Sequence, residues 1–139
     1  MSKILLPYDS LRTIGPIRQM LAVMVVTLAS IALWSTFSQN PEVEWFIGNA
    51  ALGFFSWMNI VLYFFRKHKQ LAYLGLSILS FFFLATVLFF TAQFFSTVNI
   101  SDAREYRTMF MATIVFYTCG IMIVTLIKNV AILFGIDDY

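Results

Sequence analysis

The residues best placed to do chemistry lie in one apolar run between Glu44 and Phe65. At about 100° per residue, Gly48, Asn49, Gly53, Ser56, Asn59 and Tyr63 fall within an arc of roughly 140°. The opposite arc carries Ala50, Phe54, Trp57, Met58, Val61 and Phe65. Amides and hydroxyls spaced in this way along an apolar helix have two uses. They line a path for a solute or ion, or they hydrogen-bond to neighbouring helices, at about 0.6 kcal/mol per bond on average. Asn49, Gly53, Ser56, Asn59 and Tyr63 are therefore the candidate helix-packing or pore face. Packing is the expectation, because no Asp or Glu lies deep in any apolar run, and buried ionisable groups are the usual mark of coupled transport.

Other chemistries find fewer footholds. His68 is the only histidine and falls in the basic loop Arg66-Lys67-His68-Lys69-Gln70. A histidine-held haem within the chain or a histidine-rich metal site is therefore not expected. Cys119 is the only cysteine, so no internal disulfide forms, and its apolar surroundings predict a small buried hydrophobe. Glu42 with Glu44, and Asp137 with Asp138, are predicted to be solvated loop charges. No phosphate-binding glycine loop, nucleophile elbow or zinc motif is present. No catalytic, metal-binding or cofactor-binding residue and no cofactor is expected. Arg66, Lys67, Lys69 and Lys128 are candidate contacts for anionic lipid head groups. Lys128 is expected to snorkel to the interface near Asp137 or Asp138.

These residues are embedded in a chain whose composition points to lipid. It is 60% hydrophobic and 12% charged, against about 45–50% and about 25% in soluble domains. A chain of 139 residues has too much surface for its volume to hide this apolar excess in a soluble core. Four apolar segments, at about 17–37, 44–65, 71–95 and 108–134, are each long enough for the roughly 30 Å hydrocarbon layer. Their apolar runs are continuous rather than alternating, which predicts helices and not a barrel. The expected fold is a single all-α domain over 1–139, a four-transmembrane-helix bundle with short loops. Gly15-Pro16 should break the tail from the first helix. Asn40-Pro41-Glu42 reads as the N-cap and first turn of the second. Asn99 and Asp102 read as a capping arrangement ahead of the fourth. A basic start, an apolar stretch from Met20 and the small residues Ser30 and Ala32 also fit a signal peptide. Retention of this segment as the first helix is the expectation.

With the N-terminus in the cytoplasm, Lys3, Arg12, Arg18, Arg66, Lys67, Lys69 and Lys128 lie inside, and only Arg104 and Arg107 outside. This bias predicts both termini cytoplasmic. Trp34, Trp45 and Tyr106 would mark the outer interface, and Tyr63 and Tyr73 the inner one. The other helices also carry stripes. The first has Gln19, Val23, Thr27, Ser30 and Trp34. The fourth has Thr113, Tyr117, Gly120, Val124 and Lys128, with a second stripe of Thr118, Thr125 and Asn129. The third has Tyr73, Ser77, Ser80, Leu84 and Thr91 on one side and Gly75, Thr86 and Gln93 on another, and is crowded with phenylalanine.

No family resemblance emerges from these motifs. Small multidrug transporters place a carboxylate in the first helix, and thiol-oxidising four-helix proteins need cysteine pairs. This sequence has neither. Phe95-Ser96-Thr97-Val98 matches the Phe-Ser-Thr-Phe element of fluoride channels only in part and out of place. The leading expectation is a non-catalytic subunit of a larger membrane complex, respiratory, otherwise energy-transducing or secretory. Such a subunit would sit in a bacterial or organellar inner membrane and serve assembly and stability. Its partners would be the bilayer, other membrane subunits through the faces of helices two and three, and anionic lipid, with no nucleic acid. The alternatives are a homo-oligomeric channel or transporter lined by helix two, and a lipid- or quinone-binding component walled by helix three. The orientation is checked with single cysteines in a Cys119-free background. An impermeant reagent added outside should label positions 40 and 101 and spare 67 and 138. The reverse pattern rules out the orientation, and labelling of 40 and 67 from one side removes a span.

Overall fold

The computed structural model describes residues 15–37, 40, 42–66, 70–99, 101–102 and 104–136. Its elements are α1 (Pro16–Phe37), α2 (Val43–Phe65), α3 (Gln70–Phe95) and α4 (Arg104–Leu133). No strand occurs among the described residues. All four helices are long and apolar enough to cross a membrane. The shortest, of 22 residues, rises about 33 Å at 1.5 Å per residue. The predicted spans fall close to these limits except at α4, which starts at Arg104 rather than Thr108. Its first turn is polar but still helical.

The helix ends follow local chemistry. Pro16 occupies the first position of α1, where its missing N–H is no loss. The Gly15 carbonyl accepts hydrogen bonds from the backbone N–H groups of Arg18 (3.1 Å) and Gln19 (3.2 Å). Asn40 is not the N-cap of α2. Glu42 holds that position, without a side-chain cap bond, and the first-turn acid is Glu44. Asn40 instead builds the preceding turn, accepting from the Glu42 N–H on Oδ1 (3.2 Å) and from the Val43 N–H on its carbonyl (3.4 Å). Pro41 lies outside the described residues. Before α4, the Asp102 N–H donates to the Asn99 carbonyl at 3.0 Å. At the far end of α4, Ile136 N–H bonds to Ala131 O and Gly135 N–H to Ile132 O, both at 3.1 Å. This is a Schellman stop. It needs a left-handed residue, and Gly135 supplies it at φ 68°.

Side-chain contacts set the directions. Tyr106 of α4 reaches Glu42 before α2, and Lys128 of α4 reaches Arg66 after it, so α2 and α4 run parallel. Arg66 lies over Tyr73 near the start of α3, so α3 runs the other way. The bundle thus has one end carrying Arg18, Arg66 and Lys128, called here the basic end, and an opposite end marked by Trp45. Helix α2 packs against all three others, and α1 also packs against α3. The core holds Leu52 and Phe55 of α2, Phe81, Leu84 and Leu88 of α3, and Phe110, Ile121 and Val124 of α4, with Met20 of α1. Large apolar side chains cover the outside, including Val26, Phe54, Trp57, Phe82, Phe90 and Ile123.

The predicted faces are largely as observed. On α2, Gly48, Asn49, Ser56, Asn59 and Tyr63 are buried, while Phe54, Trp57 and Phe65 are exposed. Gly53 departs from this pattern, because a Cβ built there meets nothing within 4 Å. The close helix approach is at Gly120 of α4, where an added Cβ would run into the Cδ1 of Ile60 and stand 3.1 Å from its Cγ1. Cys119 is exposed rather than buried, because it sits one residue round from that contact on the outward side of α4. Gly120→Leu should therefore force α2 and α4 apart, at about 1–3 kcal/mol for an overpacked site. Gly53→Leu should stay within about 0.5 kcal/mol. Thermal unfolding in detergent measures both. Equal losses would mean that Gly120 is not the tighter contact.

Candidate functional site

The polar face of α2 does not stand open. Asn59, Ser77 of α3 and Tyr117 of α4 are at most 2% exposed, and they meet in the interior. Ser77 Oγ donates to Asn59 Oδ1 at 2.6 Å. A serine hydroxyl has one proton, so the Tyr117 hydroxyl, 2.9 Å away, must donate to Ser77. The Tyr73 hydroxyl adds a longer bond to Asn59 Oδ1, at 3.4 Å. Asn59 Nδ2 donates back to the Phe55 carbonyl one turn earlier, at 3.2 Å. The amide oxygen of Asn59 is thus the common acceptor for donors on α3, and through Ser77 for α4. Tyr117 is held flat against Phe81, ring centroids 4.1 Å apart.

Toward the basic end the set continues. The Tyr63 and Tyr73 rings lie parallel, 6.2 Å between centroids. Thr125 Oγ1 donates to the Ile121 carbonyl, so the Tyr63 hydroxyl, 3.2 Å from Thr125, is the donor between those two. Lys128 Nζ donates to the Arg66 carbonyl at 2.6 Å and lies 4.7 Å from the centre of the Tyr63 ring. The Arg66 guanidinium covers the Tyr73 ring at 4.3 Å. A cation on the last carbonyls of α2 complements the negative end of that helix, and ring faces add cation–π attraction. Gln19 of α1 also comes within hydrogen-bonding reach of Tyr73, so all four helices touch the cluster.

Two sequence expectations change here. Lys128 does not reach outward. It is 1% exposed, and its ammonium is committed to the Arg66 carbonyl at the end of α2. Tyr63 and Tyr73 are core residues stacked on each other rather than facing outward. Lys67, Lys69, His68, Asp137 and Asp138 lie outside the described residues. Arg66 is half-buried.

The Trp45 end is built differently. Trp45 is fully buried; its indole N–H donates to the Val98 carbonyl at 3.3 Å. Its ring meets Phe89 edge-on, and Phe89 meets Phe110 in the same way. Glu44 is not a solvated charge: it is buried, and its Oε2 has no hydrogen-bond partner among the described residues. Its place in the first turn of α2 favours a negative charge. Asn49 Nδ2 bonds back to the Trp45 carbonyl at 3.1 Å, while its Oδ1 has no partner among the described residues. Ser56 donates to the Leu52 carbonyl at 2.7 Å.

Of the candidate face, then, Asn59 and Tyr63 join the interhelical set, Asn49 and Ser56 bond within α2, and Gly53 stays apart. Sequence reasoning placed Ser77 and Tyr117 on buried stripes but could not pair them with Asn59. Hydroxyls at matching depth on three helices were the available signal. Among the described residues no group of His, Cys, Asp and Glu could hold a metal ion. Compared with known protein families, curated proteins and solved structures, the chain matches none.

The arrangement can bind helices together through hydrogen bonds from three of them. A double-mutant cycle of Ser77→Ala and Tyr117→Phe should give a coupling of about 0.6 kcal/mol, and no more than about 1.7. The control cycle of Thr118→Val with Tyr117→Phe should give none, since Thr118 is exposed. Unfolding in detergent is the readout. Zero coupling in the first cycle would remove Tyr117 from the set.

Proposed function

We propose that the chain is an integral membrane protein with both termini cytoplasmic, acting as a non-catalytic subunit of a larger complex. The observation that carries this reading is the closure of the polar face of α2 by α3 and α4 of the same chain, with Asn59 fully buried. Groups already joined to one another do not replace water around a permeant species, so a pore along this face is disfavoured. What remains for contact is mostly apolar. Lipid tails and partner helices are the two things such a surface accepts without leaving polar groups unsatisfied.

Partners are assigned to the outward side of α3, where Gly75 and Thr86 interrupt Leu79, Phe82, Phe83 and Phe90, all of them exposed. Small residues among large ones let a second helix come close. The buried face of α2 is not part of this surface. A bacterial inner-membrane assembly, energy-transducing or secretory, is the proposed host.

Purification from native membranes in mild detergent tests the reading. A partner of fixed stoichiometry is expected, and Gly75→Phe together with Thr86→Phe should reduce its recovery severalfold while the chain's own unfolding temperature holds. The purified chain alone in liposomes should carry no solute flux. Saturable flux abolished by Asn59→Leu, with no stoichiometric partner, would establish the channel instead.

A further inference from the structure

A groove of about 710 Å³ runs between α1 and α2. Its α1 wall includes Arg18, Ala22 and Val26; its α2 wall includes Ala51, Met58 and Leu62. Because the two helices run in opposite directions, both walls cover the same half of the bundle, from the basic end to the middle. From Arg18 to Thr27 the groove extends about 14 Å, and from Ala51 to Leu62 about 17 Å, at 1.5 Å per residue. Half of a roughly 30 Å hydrocarbon layer is about 15 Å. The groove is therefore one leaflet deep.

Its polarity is graded along that depth. Arg18, exposed in the first turn of α1, stands at the mouth. Gln19, buried beside it, also lines the groove; farther in, Thr27 is the polar lining residue, and its hydroxyl donates to the Val23 carbonyl at 2.6 Å. Beyond Gln19 the groove lining offers no free side-chain donor. An extended peptide laid there would leave its backbone unsatisfied, whereas an acyl chain has nothing to satisfy. A cation at the mouth, with Arg66 at the same end of the bundle, complements a phosphate.

We propose that this groove is a site for an anionic glycerophospholipid, one acyl chain between α1 and α2 and its phosphate on Arg18. The proposal rests on the membrane reading above and adds a defined ligand and location to it.

The test is titration of the detergent-purified full chain with phosphatidylglycerol or phosphatidylcholine of identical acyl chains, followed by native mass spectrometry. Phosphatidylglycerol should be retained about fivefold better, the effect of one basic side chain at an anionic surface. Arg18→Gln should abolish the preference and Arg18→Lys keep it. Ala22→Trp, which fills the groove, should lower retention of both lipids. If that variant unfolds, the Arg18 pair still decides. Equal retention of the two lipids by the unaltered chain, or a preference that survives Arg18→Gln, overturns the site. So does a dimer that Ala22→Trp dissociates, since a second copy would then fill the groove. Alkaline carbonate extraction separates the two levels. Protein released without detergent defeats the membrane reading itself, and protein that stays but shows no lipid preference defeats only the groove.

Discussion

A buried amide must have its hydrogen bonds met from inside the protein, and in this bundle that requirement falls on Asn59. With no exposed surface, it cannot turn to solvent. Its oxygen accepts from Ser77 and Tyr73 of α3, and Ser77 is in turn bonded to Tyr117 of α4. Leaving such a group unpaired costs about 1–3 kcal/mol. Axial register follows from this, because sliding α3 by one residue along α2 carries Ser77 about 1.5 Å away and rotates it off the seam. Apolar packing alone tolerates such shifts more readily, since dispersion between interchangeable side chains is non-directional.

The central position of α2 has the same origin. Its spanning stretch is the least apolar of the four and has the largest buried share, and it packs closely on every other helix. In water the most polar helix would be driven outward. Here the order is inverted, with amides and hydroxyls inside and phenylalanine outside, as expected where the surrounding medium is itself apolar. The inversion also explains why the exterior does little to distinguish one helix from another, while the interior assigns each a neighbour.

Much of this was legible in the sequence because helix period and apolar run length are local properties. The spans, the two faces of α2 and the buried stripes of α3 and α4 all follow from spacing alone. What depends on a second helix was not legible. Gly53 and Gly120 look alike as sequence, and only the position of Ile60 makes Gly120 the tight one. Lys128 lies near a helix end, where outward snorkelling is the ordinary outcome. The nearby Arg66 carbonyl reverses its direction, and 62 residues separate the two. Cys119 and Tyr117 share an apolar run, but their roles diverge with a 200° turn of the wheel. Glu44 reads as a loop charge because the apolar run begins only after it, yet in the first turn of α2 it is buried.

The two ends of the bundle are consequently held by different forces. At the basic end the constraints are directional: hydroxyl to amide, ammonium to carbonyl, guanidinium over ring. Each fixes a distance and an angle. At the Trp45 end the helices meet chiefly through edge-on aromatic pairs, Trp45 with Phe89 and Phe89 with Phe110, supported by the indole bond to Val98 and the Tyr106 bond to Glu42. Edge-on contacts hold over a range of offsets. The same end contains the two buried oxygens, on Glu44 and Asn49, that have no partner among the described residues. A rigid basic end is also what a fixed groove between α1 and α2 requires, since its mouth at Arg18 is anchored through the neighbouring Gln19 to Tyr73 of the same cluster.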